Sequence, residues 1–181
     1  MQRDIAVAPV SRTTTTFLRV LGIIASGFFV YLYLSSTDGL PADKSRAQLP
    51  GLLLMLGLVA GGFAGMWWAL HRRSLTLTDS DLIVRAGFYS RTLPRRSLLT
   101  GKAEQVSLLD RREFAPRLRT NGIGLPGFRA GWFRLRNNER ALVLLTNPFG
   151  VTYLPTSEGY ALLVSTTTLL AALDVPGTGP T

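Results

Sequence analysis

Trp67-Trp68-Ala69-Leu70-His71-Arg72-Arg73 closes the second of two apolar runs in the first half of the chain. Paired tryptophans followed by a basic cluster are the pattern of a helix leaving a bilayer on its cytoplasmic side, because indole rings settle at the headgroup level and Lys and Arg are retained inside. The run itself spans Leu49 to Leu70. At about 1.5 Å per residue, some 20 residues cover the roughly 30 Å of hydrocarbon. Pro50 falls in its first turn, where a missing N–H costs little. The first run spans Phe17 to Leu34, with Arg19 placed to snorkel toward headgroups and Tyr31 and Tyr33 at the far end.

Charge sets the orientation. Arg3, Arg12 and Arg19 stand against Asp4 before and within the first run, and Arg72 and Arg73 follow the second. The loop of residues 35–48 is balanced, with Asp38 and Asp43 against Lys44 and Arg46. The expectation is a two-span protein of the cytoplasmic membrane with residues 1–16 and the C-terminal part both cytoplasmic. A cleaved signal peptide is the competing reading of the first run. Its length and the poor cleavage site at Leu34-Ser35-Ser36 speak against it.

Gly57, Gly61 and Gly65 recur every four residues and line one face of the second run. Such a ridge permits close backbone approach. Packing against Gly22 and Ser26 of the first run is one reading, and self-association into a homo-oligomer is the other.

Composition narrows the chemistry. The 181 residues carry a net charge of +9, no cysteine and one histidine, His71. Disulfides, thiolate metal sites and cysteine nucleophiles are therefore excluded. From residue 71 to the end, fifteen basic residues stand against eight acidic ones.

Beyond Ser74 the pattern changes to short alternating segments separated by turn signals. Ser74 to Thr78, Leu82 to Arg85, Phe88 to Thr92, Val106 to Asp110, Trp132 to Arg136, Ala141 to Thr146, Val151 to Leu154 and Tyr160 to Val164 read as strands. Asn137-Asn138 marks a tight hairpin, since asparagine tolerates positive φ. Thr168 to Leu173 reads as a short helix closing the open end of a barrel, and residues 175–181 as a frayed tail. The fold class expected is α+β, with a transmembrane helical hairpin followed by a bent antiparallel barrel over residues 74–174.

The stretch Arg119-Thr120-Asn121-Gly122-Ile123-Gly124-Leu125-Pro126-Gly127-Phe128, followed by Gly131-Trp132-Phe133, resembles the central signature of a bacterial subfamily of pleckstrin-homology-like (PH-like) proteins. Tyr153-Leu154-Pro155-Thr156 and Gly159 to Ser165 are similar to the same subfamily. The resemblance covers roughly Leu75 to Leu173. It implies a seven-stranded, strongly bent sheet closed by a C-terminal helix, a fold that serves as a binding scaffold, and it implies little about activity.

Gly122 to Gly127 also spells the dinucleotide pattern GxGxxG. That mechanism needs a helix N-terminus after the glycines, and the segment runs instead into a strand. A bulge that bends the sheet is one reading. A rigid loop presenting Arg117, Arg119, Asn121, Gly122, Gly124, Pro126, Gly127 and Phe128 to a protein partner is the other. Arg72, Arg73, Arg95 and Arg96 are the candidate groups for anionic lipid headgroups. Nucleic acid is not expected, because the basic residues are dispersed and no stacking signature accompanies them. No catalytic or metal-binding set is expected and no cofactor: Asp79-Ser80-Asp81 reads as a turn, and the domain has neither histidine nor cysteine. The functional expectation is a non-enzymatic, membrane-tethered adaptor that recognises a protein partner. The alternatives are an electrostatic sensor of anionic lipid and a small subunit of a larger membrane complex.

Overall fold

The computed structural model describes residues 3–173, apart from the side chains of Ala42, Asp43 and Ser45. Its Cα positions divide into two units. One is helical and runs from Thr15 to Trp68. The other joins the segment up to Thr14 to everything from Ala69 onward.

Three helices carry the helical unit: α1 (Arg12–Thr37), α2 (Ala42–Ala47) and α3 (Leu49–His71). The Thr13 N–H donates to Ser11 Oγ at 3.0 Å, which satisfies one orphan donor of the first turn of α1. Both long helices overrun the expected spans, and α2 occupies the segment read as an external loop. Their length and apolar composition suffice to cross a membrane. In the most apolar stretch of α1 only 6% of residues are buried, and in that of α3 none. A core helix of a soluble domain would hide such a surface.

Among the described residues, ten strands build the second unit. The first sheet contains β1 (Arg3–Ile5), β2 (Arg73–Leu77), β3 (Asp81–Ala86) and β4 (Tyr89–Pro94), all antiparallel and adjacent in that order. The second contains β5 (Glu104–Val106), β6 (Pro116–Leu125), β7 (Phe128–Leu135), β8 (Arg140–Leu145), β9 (Val151–Pro155) and β10 (Ala161–Ser165), in the order β5-β9-β10-β8-β7-β6. β10 runs parallel to β8 and antiparallel to β9. A one-turn helix, α4 (Leu169–Ala172), follows, with Leu169, Leu170 and Leu173 buried.

Several expectations need correction. The barrel does not close, because β5 and β6 end the second sheet and no pairing joins them among the described residues. Ten strands in two sheets replace the single seven-stranded sheet, and one strand pair is parallel. The N-terminal segment, read from the sequence only as preceding the first span, contributes a strand to the first sheet. β1 pairs with β2, Ile5 is buried, and Thr76 Oγ1 donates to Asp4 Oδ1 at 2.9 Å. Farther along, Thr166 Oγ1 donates to Ala6 O and Thr146 Oγ1 to Ala8 O, both at 2.9 Å. The frayed tail at 175–181 lies outside the described residues.

The core forms where the sheet is covered on both faces. Every residue of β10 is buried, and its run Ala161-Leu162-Leu163-Val164 is apolar on both sides of the pleat. One face joins Leu163 and Ala161 to Val143, Leu145, Phe133, Leu135, Val151 and Phe114. The alternate residues Leu142, Leu144, Leu162 and Val164 are equally buried.

Candidate functional site

The segment expected as a partner-binding loop is largely strand. Arg117, Arg119, Asn121, Gly122 and Gly124 all lie in β6, and only Pro126 and Gly127 form a turn before Phe128 opens β7. The sequence obscured this because β6 lacks alternation: Leu118 and Ile123 are five residues apart, and glycines interrupt the run.

The glycines are structural in a definable way. Gly122 pairs with Gly131 across the β6–β7 ladder, and the register shifts between Pro116 and Leu118 and again between Arg119 and Asn121. Gly131 has φ 108°, and a Cβ there would stand 2.6 Å from both Asn121 O and Gly122 Cα. Register shifts of this kind raise the local twist of a strand pair, and glycine at both positions permits the close backbone approach. At the turn, Pro126 precedes Gly127 with φ 74°, the sequence that a type II turn requires. Thr14 Oγ1 donates to Pro126 O at 2.6 Å, and a Cβ on Gly127 would meet Ser11 Oγ at 2.9 Å. The N-terminal segment thus packs against the turn. No helix follows the GxGxxG letters, so the geometry for a pyrophosphate is missing from this segment.

β6 is an end strand, and among the described residues β7 is its only strand partner. Residues 117–121 are all exposed, Leu118 to 58%. Thr120 Oγ1 donates to Trp132 O, and Tyr89 O–H donates to Asn121 Oδ1, which fixes this part of the edge to β7 and β4. Between residues 116 and 140 the chain carries six arginines, at 117, 119, 129, 134, 136 and 140, against the single acid Glu139. Arg117 and Arg136 flank an open hollow beside Pro116. The Arg140 guanidinium lies 5.3 Å from the Trp132 ring centroid, and Trp132 in turn meets Tyr160 edge-on at 5.0 Å. Sequence reasoning counted the arginines but treated them as dispersed. The hairpin register, which sets β7 beside β6 and β8, is what groups them.

Glu139 is committed elsewhere. It accepts a hydrogen bond from Tyr153 O–H at 2.8 Å. Burial and this carboxylate raise the Tyr153 pKa well above its ordinary value.

The four arginines assigned to lipid do not share one end of the domain. Arg95 and Arg96 follow β4 at the end where Asp81 pairs with Pro94. The chain leaves α3 at the opposite end, where Arg73 pairs with Ala86 and the Gly87 N–H donates to Arg72 O at 3.0 Å. Five residue steps of strand, about 17 Å, separate the two. Arg73 is half-buried, its guanidinium donates to Ala8 O at 3.1 Å, and burial lowers its pKa. Arg72 is exposed at the α3 end, and so is Phe88 at the tip of the β3–β4 turn.

The glycine ridge of α3 is also placed differently. A Cβ on Gly57, Gly61 or Gly65 would meet nothing within 4 Å. The α1–α3 contact instead brings Gly22 against the Phe63 ring, at 3.6 Å from a would-be Cβ. Asp79, Ser80 and Asp81 form the β2–β3 turn, where Ser80 Oγ donates to Asp81 Oδ2 and the Asp81 N–H to Thr78 Oγ1. Among the described residues no three His, Cys, Asp or Glu side chains gather as a metal site.

No protein-family model, no curated protein and no solved structure matches the chain.

Proposed function

We propose that the protein is a membrane-tethered, non-enzymatic binding module, held at the inner face of the cytoplasmic membrane, whose β6 edge docks an extended, acidic segment of a partner protein. The observation that carries this reading is the ten-residue end strand β6, with its outward edge exposed and flanked by arginines. A sheet edge offers a row of backbone donors and acceptors to an incoming strand. The arginines add charge complementarity, which favours an acidic partner and rejects a basic one.

The tether follows from α1 and α3, long and apolar enough to cross a bilayer with their apolar side chains exposed. Pairing of β1 with β2 supports an even number of crossings, since strands before α1 and after α3 meet in one sheet. The same pairing argues against a cleaved first run, because cleavage would remove β1. The flanking arginines favour the inner side for that sheet.

Photo-crosslinking from Leu118 in intact cells tests the edge. The expected result is one specific adduct, lost when Arg119 and Asn121 are changed to alanine. An adduct pattern identical in wild type and variant overturns the assignment to β6. A reporter fused to the C-terminus tests the side, with a periplasmic signal overturning the inner-face reading.

The lipid-sensor alternative keeps one supporting observation, the exposed pair Arg72 and Phe88 where α3 ends. Co-sedimentation of the full chain with anionic vesicles would not separate docking from insertion. The informative readout is salt-dependent protection of Phe88 and Arg72 in vesicles holding the inserted protein.

A further inference from the structure

Between α1 and α3 runs a groove of about 810 Å³. Gly22, Ser26 and Val30 line it from α1, and Ala60 and Phe63 from α3. Its lining is apolar except for Ser26 and, at one end, Arg19. There the guanidinium lies 6.0 Å from the centroid of the Trp67 ring. We propose that this groove is a binding site for one anionic phospholipid, with an acyl chain along the groove and the phosphate on Arg19. The inference rests on the reading that α1 and α3 cross a bilayer, and it assigns a ligand to that reading.

Depth and length agree with this occupant. Tryptophan beside a terminal basic cluster marks the headgroup level, so the Arg19 guanidinium sits where phosphates are. From Arg19 to Val30 the helix rises about 16 Å, close to half of the roughly 30 Å hydrocarbon layer. The groove therefore reaches from the headgroups to the bilayer midplane, the depth of one leaflet.

A second copy of the chain is the competing occupant, and charge decides against it. Neither α1 nor α3 contains Asp or Glu, so a helix of another copy would bring no anion to Arg19. A phosphodiester brings one, and a guanidinium binds it through a fork of parallel N–H donors. A headgroup with net negative charge is preferred over a zwitterionic one, whose own ammonium competes with Arg19 for the phosphate. The Gly57, Gly61 and Gly65 ridge does not line the groove and stays open to other contacts.

Native mass spectrometry of the full chain tests the site. The protein is solubilised in mild detergent with equal amounts of phosphatidylglycerol and phosphatidylcholine. The expected result is one retained lipid per chain, with phosphatidylglycerol in several-fold excess. Arg19→Gln should bring the two lipids to parity. Gly27→Leu should abolish retention with Arg19 in place, since Gly27 lines the groove and a Cβ there meets nothing within 4 Å. Arg46→Gln, outside both long helices, should change nothing. Equal retention of both lipids in the wild type overturns the site, as does a preference that survives both groove variants. A lipid-free dimer overturns it in favour of a second copy. Alkaline carbonate separates the premise from the inference: extraction of the protein sinks the spanning reading and the groove together, whereas retention without lipid preference sinks the groove alone.

Discussion

Leu162 and Leu163 in β10 have no exposed surface, whereas Leu53 and Leu54 in α3 are 66% and 62% exposed. The same side chain is treated in opposite ways by two regions of one molecule. In the β-rich unit, leucine is removed from water by protein, strand against strand. In the helical unit it is left on the outside over nearly the whole length of two helices. One unit hides its leucines within protein, and the other carries two helices long and apolar enough to cross a membrane.

That contrast is breakable by experiment. The largest effect is expected in the core. Leu163→Ala should destabilise the β-rich unit by about 2–5 kcal/mol, read as a shifted denaturant midpoint. Leu53→Ala should leave that midpoint unmoved, and a shift of similar size would remove the distinction. Leu53→Arg should then cost about 2.5–3.5 kcal/mol in an insertion assay, with no loss of sheet structure. Next comes the junction between strand and N-terminal segment. Asp4→Ala removes the acceptor of Thr76 Oγ1 and should cost about 1 kcal/mol of β-unit stability.

The smallest effect concerns pH. Tyr153 has a raised pKa in the folded state, so its neutral form is the one that folding favours. Its contribution is complete below the ordinary tyrosine value of about 10 and is lost as pH rises from there toward the folded-state value. Alkaline titration of wild type should show a downward slope in stability above about pH 10, reduced in Tyr153→Phe. Equal slopes would mean that Glu139 and burial do not act on this hydroxyl.

The sequence made the two long helices legible because each apolar run is long enough to form a single extended helix. The strands from Arg73 to Pro94 and from Arg140 to Ser165 were legible from alternation and turn residues, within one or two positions for most. β1 was not, since three residues carry no period. β6 was not, because its apolar residues are sparse and its exposed side chains read as loop. The candidate site followed the same division. Arg119 and Asn121 were identified as residues, but their placement on a sheet edge depends on which strand pairs beside them. Arg95 and Arg96 stand near Arg72 and Arg73 in composition and at the other end of a strand in space. The pairing of Gly22 with Phe63, in place of the Gly57 ridge, reflects which helix faces meet, and no single-helix pattern encodes that.

The strand made by Arg3, Asp4 and Ile5 waits for a partner that is synthesised some seventy positions later. A ribosome must release β2 before that first sheet acquires its outer member, and by then both apolar helices have already emerged. Completion of the sheet therefore requires the chain before α1 and the chain after α3 to meet.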